Sequence, residues 1–240
     1  MLDEIIDALL AKWDTNTANF SARLTGLIER VGTTPQGLIA ASPSPQAALA
    51  LLREAGFAIL QREIESVLTD AQEAFARQTV AGVPLSPSAR AISTARGFAA
   101  TQMHEVGGIA LSSLSGLLQQ AATTPISKDQ LAAQVQQIAT TTISRARTIA
   151  DTSIAGLQRA TAIQAAAELP GDGVFRYSGP NDQITRPFCK KLVGRVFTAD
   201  EIRGMRNGQA IPVDLFGGGY NCRHSWQPMT RIAAQEIGII

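Results

Sequence analysis

At 240 residues the chain is long enough for one large domain, or for a medium domain with a smaller companion. Hydrophobic residues make up 45 % and aromatic residues only 5 %, which excludes wholesale disorder and favours closely packed, alanine-rich helices over β-sandwiches. A formal net charge of +1 excludes a general polyanion binder, and two cysteines are too few for a disulfide scaffold.

Four helical segments are predicted before residue 170. In the first, Leu2, Ile6, Leu9, Trp13, Phe20, Leu24, Leu27 and Val31 recur in helical phase, and "GTTPQG" closes the segment. After the breaker "ASPSP", Leu49, Leu52, Gly56, Ile59, Glu63, Val67, Ala71 and Ala74 predict one helix from Pro45 to Val80, a rod of roughly 50 Å. "AGVPLSPS" interrupts the chain before a third helix from Ala89 to about Thr123, with a kink or break expected at Gly107-Gly108.

The fourth helix opens after Ser127, an N-cap whose capping-box partner is Gln130, and runs from Lys128 towards Glu168. Leu131, Val135, Ile138, Ala146, Ile149 and Leu157 share one stripe, whereas Ile143, Ile154 and Ile163 lie off it. A helix apolar on more than one face is buried on more than one side, so neighbours must complete it.

At "ELPGDG" (168–173) the composition changes, and the domain boundary is placed there. "GVFRYSG" reads as a strand with Phe175 and Tyr177 on one face. "NDQITRPFCKKLVG" reads as a turn and a short helix. Thr198 with Glu201 opens another helix, expected to close near Asn207-Gly208. "GGGYNCRHSWQP" (217–228) reads as a loop into a final strand. The expected fold is mainly α. Long helices over residues 1–169 form an extended helical region, residues 170–231 form a small α+β domain, and 232–240 is a tail. About 60 residues is small for an independent core, so the second domain needs a staple or a neighbour.

Charge is uneven along the chain. Residues 1–171 carry 12 basic against 14 acidic side chains, while residues 172–231 carry nine against five. Local ion pairing accounts for this excess, with incidental contact to an acidic surface or nucleic acid as the alternative. The N-terminus "MLDEIIDALL" is acidic where an export leader is basic. The uncharged runs Val31–Leu52 and Val106–Ser127 contain prolines, or polar residues and glycines, so no membrane anchor is expected. The expectation is a soluble chain made in a cytoplasm.

Cys189, Cys222 and His224, with Asp182 or Asp214 as a fourth, are ligand types that zinc accepts. Cys222 and His224 stand two apart on an expected strand and so share a face, whereas Cys189 must fold back from 33 positions earlier. No CxxC or HxxxH spacing accompanies them. A pair of small core cysteines is the first reading of Cys189 and Cys222, a zinc site the second, and a disulfide the third. A Cys222–His224 nucleophilic pair has no third group to orient it. No phosphate loop or HExxH occurs, and no catalytic residue is assigned.

"GPNDQITRPFC" (179–189), "NGQ" (207–209) and "GGGYNCRHSW" (217–226) together resemble the C-terminal domain of tailed-phage minor head proteins of the head-morphogenesis (Mu F-like) family. The resemblance covers about 55 residues and is specific as a combination. Family positions fall on Asp182, Cys189, Cys222, Arg223 and His224. Many relatives carry a histidine shortly before the second cysteine, where this chain has Gly and Tyr.

The resemblance implies a non-enzymatic virion component of low copy number at the portal and head interior, serving assembly and genome packaging or delivery. Its implied partners are the portal protein and other head or connector proteins. Several copies would surround the portal, with non-specific contact to packaged DNA. The competing expectations are a virion-carried enzyme, such as a nuclease or group-transfer effector, and an internal protein ejected with the DNA.

Overall fold

The computed structural model describes residues 2–31, 45–80, 83–124, 126–167 and 173–239. It is mainly helical, with long helices followed by a small three-stranded sheet and short helices. The helices α1 (Leu2–Thr17), α2 (Asn19–Val31), α3 (Pro45–Ala55) and α4 (Phe57–Ala76) come first. A two-stranded pair follows, β1 (Thr79–Val80) and β2 (Val83–Pro84), and then α5 (Ala89–Thr123) and α6 (Lys128–Ala167). The C-terminal part runs β3 (Gly173–Ser178), α7 (Pro187–Leu192), β4 (Val196–Phe197), α8 (Ala199–Gly204), α9 (Val213–Phe216), β5 (Ser225–Thr230) and α10 (Arg231–Glu236).

The chain divides into two compact units, one of Leu10–Ser66 with Ala99–Ile149, the other of Met1–Leu9, Val67–Phe98 and Ala150–Ile240. In the first unit Trp13, Leu24, Leu60, Ile64, Leu114 and Val135 are buried among many alanines. Phe20 meets Phe57 edge-on at 6.5 Å, and Arg147 pairs with Asp14 at 2.9 Å.

Two expectations about the long helices are corrected. The helix expected to run unbroken from Pro45 to Val80 is interrupted at Gly56, which stands at φ +93. Its helical phase was genuine, but a left-handed residue ends the α3 ladder and restarts the chain as α4. The break expected as one outcome at Gly107-Gly108 does not occur, because α5 spans 35 residues through both. Gly107 packs closely against an aromatic ring there. A Cβ on it would come within 3.0 Å of the Phe57 ring, so the missing side chain makes room for an aromatic neighbour. The Ser127–Gln130 capping box is present, with both reciprocal hydrogen bonds at 3.1 Å. The breaker "GTTPQG", all but the last residue of "ASPSP" and all but the last residue of the "ELPGDG" boundary lie outside the described residues.

The second unit holds the sheet. Strand order is β4-β3-β5, antiparallel throughout, with Phe175 opposite Phe197 and Tyr177 opposite Trp226. Its core gathers Phe175, Tyr177, Phe197, Ile202, Val213 and Trp226, and takes Ile163 and Ala166 from the end of α6. Helix α8 starts at the Thr198–Glu201 capping box but ends at Gly204, earlier than the expected Asn207-Gly208. The Asn207 side chain is used elsewhere, accepting from the Gln209 N–H at 3.0 Å and donating to the Gly217 carbonyl at 2.9 Å.

Candidate functional site: a buried Cys-Cys-His cluster

Tyr177 enters the site from near the C-terminal end of β3, where strand alternation aims its ring into the core. Cys189 comes from α7, a single turn opened by Pro187. Cys222 and His224 come from the segment leading into β5. That strand begins only at Ser225, so the two residues share a side through loop geometry and not through the expected strand alternation.

All three candidate ligands are buried, and their donor atoms lie within 4.8 Å of one another. Cys189 Sγ and Cys222 Sγ are 3.9 Å apart, and Cys222 Sγ is 3.7 Å from His224 Nδ1. The cysteines are free thiols. The Tyr177 hydroxyl sits 3.4 Å from one sulfur and 3.3 Å from the other, and its ring stacks on the imidazole at 5.1 Å with a 6° interplanar angle.

The surrounding chain holds this cluster from several directions. His224 Nε2–H donates to the Pro180 carbonyl at 2.8 Å, which orients the ring with Nδ1 towards the Cys222 sulfur. The Gly218 N–H donates to Cys222 Sγ at 3.2 Å. A Cβ on Gly218 would stand 2.2 Å from Cys189 Sγ, so only glycine lets this loop pass the sulfurs.

Asp182 stands apart from the three ligands. Its carboxylate takes both terminal nitrogens of Arg223, at 2.7 and 2.8 Å, and accepts from the Thr185 hydroxyl at 2.8 Å. These donors, Arg223 foremost, hold its pKa well below the ordinary carboxylate range. Asp214, the alternative fourth ligand, instead pairs with Arg90 at 3.2 Å. The "DQIT" turn and the "CRH" segment are thus two halves of one clamp. "NGQ" forms a second clamp, in which Gln209 Oε1 accepts from the Tyr220 N–H at 3.1 Å. The three sequence signposts converge on one place.

Arg159, on α6, is the residue that sequence reasoning missed. It is only 3 % exposed, and its guanidinium donates to the carbonyls of His224 (2.7 Å), Leu215 (3.1 Å) and Cys222. Its only sequence signal is an arginine among alanines on a helix with apolar residues all round. The two thiols are shifted in opposite directions. The hydrogen bond from Cys189 lowers the Cys222 pKa, and the Arg159 charge adds to that. The same bond, with burial, raises Cys189. Burial raises the Tyr177 hydroxyl further from ionisation.

Residues 114–226 match the family model of Phage Mu protein F like protein. This is the family that the three motifs resemble, and the matched span ends at Trp226 after taking in the whole cluster. It also reaches back through α6, so Arg159 belongs to the Mu F-like region although it lies outside the motifs. Neither the curated proteins nor the solved structures contain a match.

Proposed function

We propose that the chain is a structural minor head protein of a tailed phage, acting in head morphogenesis. The observation that supports this reading is the Mu F-like match over residues 114–226. That region places its most unusual polar residues in internal clamps, an arrangement suited to holding a small domain rigid.

In this reading the helices before residue 170 contact the portal or connector, and residues 170–231 form the small domain. The protein is present in few copies inside the head or at the portal vertex, where it helps assembly and genome packaging or delivery, with incidental contact to packaged DNA. Among the described residues no helix is long and apolar enough to cross a membrane.

Cross-linking of purified particles with mass spectrometry tests the proposal. The expected result is a small, fixed copy number with cross-links from residues 2–167 to portal subunits. Absence of the protein from particles overturns it.

A further inference from the structure

Two thiol sulfurs and an imidazole nitrogen converge in the interior of the second unit, and no reaction described above uses them. We propose that Cys189, Cys222 and His224 form a structural site for one thiophilic divalent cation of the zinc class, its fourth position bordered by the Tyr177 hydroxyl.

The distances carry the argument. Tetrahedral bonds of about 2.3 Å to sulfur and about 2.0 Å to nitrogen set two sulfurs about 3.8 Å apart and a sulfur and nitrogen about 3.5 Å apart. The observed separations are 3.9 Å between the sulfurs and 3.7 Å between Cys222 Sγ and His224 Nδ1. A disulfide needs its sulfurs at about 2.05 Å, and these stand well beyond that. The Tyr177 oxygen, at 3.4 and 3.3 Å from the sulfurs, lies near the edge length that an oxygen at the remaining corner requires.

The hydrogen bonds around the donors point the same way. A histidine that ligates through one nitrogen commonly donates its other N–H to a carbonyl or carboxylate, which fixes the tautomer and the ring. His224 does this with Pro180, which turns Nδ1 towards Cys222 Sγ. The Gly218 N–H directed at Cys222 Sγ supports a thiolate. Arg159 holds the carbonyls of Cys222 and His224, so both residues are positioned by their backbone as well as their side chains. Packing two small thiols in a core requires none of these arrangements.

The cation would add a joint to segments that already share a core and a strand pairing. Cys189 lies on α7, the Cys222–His224 pair on the approach to β5, and Tyr177 on β3 between the other two strands. Binding displaces both thiol protons to solvent and changes no oxidation state. The site does not depend on the virion reading, and its test does not use particles.

The experiment is a cobalt titration of the reduced, metal-stripped full chain, followed by visible and near-ultraviolet absorption. Saturation at one Co(II) per chain is expected, with the visible bands of tetrahedral coordination and a sulfur-to-cobalt charge-transfer band that Zn(II) abolishes. Cys189→Ser and Cys222→Ser should each remove about half of the charge-transfer intensity, since each deletes one of two sulfurs. His224→Asn should weaken cobalt binding about 100-fold or more. Where a variant does not fold, the wild-type spectrum alone decides. Cobalt addition without a charge-transfer band, or with octahedral bands only, overturns the proposal and leaves a packed thiol pair.

Discussion

Replacing Arg159 with methionine tests the account of the second unit most directly. Methionine keeps an unbranched apolar stem in the channel and removes only the guanidinium. That group donates to three buried carbonyls, and among the described residues no carboxylate pairs with it. Hydrogen bonds from a charged donor contribute about 1.5–3 kcal/mol each, so three contribute roughly 4.5–9 kcal/mol. Holding the cation out of water costs several kcal/mol in return. The net expectation for Arg159→Met is a loss of about 3 kcal/mol, most of it from carbonyls left without a donor. In urea, with a slope of about 1–3 kcal/mol per molar, the midpoint of the second unit falls by roughly 1–3 M. Arg159→Lys should recover only part of this, because one ammonium cannot reproduce a planar fork spread over three acceptors. A wild-type midpoint for Arg159→Met would refute the reasoning. Full recovery by lysine would show that charge matters and fork geometry does not.

Two further outcomes are expected from the same unit. Trp226 is 1 % exposed between Tyr177 and Phe197 and donates to the Val213 carbonyl, so Trp226→Ala should cost about 3 kcal/mol in equilibrium unfolding; an unchanged melting curve would show that the ring is not core. The Asp182 carboxylate is held below its ordinary pKa by Arg223 and Thr185, so its contribution is present above the unfolded value of about 3.9 and is lost as pH falls below it. Asp182→Asn should therefore be less stable than wild type at pH 7, with the gap closing in acid; a pH-independent gap would rule out the carboxylate's charge as the cause.

Local rules determine much of this molecule. The periodic stripes of Trp13, Leu24, Val135 and Leu157 place helices because a 3.6-residue period leaves few other ways to bury those side chains. The Ser127–Gln130 and Thr198–Glu201 capping boxes are set by residues three apart, so they are legible before any tertiary contact exists. The residue types at 189, 222 and 224 likewise name a ligand chemistry without showing where the atoms meet.

Tertiary structure decides the rest, since each remaining feature depends on what stands across from it. Glycine at 56 and glycine at 107 look alike in a helical stripe. One takes a left-handed φ and ends a helix, while the other makes room for Phe57 inside an unbroken one. Asp182 and Cys189 are both plausible ligands by type, yet Arg223 takes the carboxylate and leaves the thiol to the cluster. Arg159 carries no motif at all. Its role arises only where the last turns of a long helix pass three carbonyls contributed from 56 to 65 residues further along the chain, a proximity that no spacing in the sequence encodes.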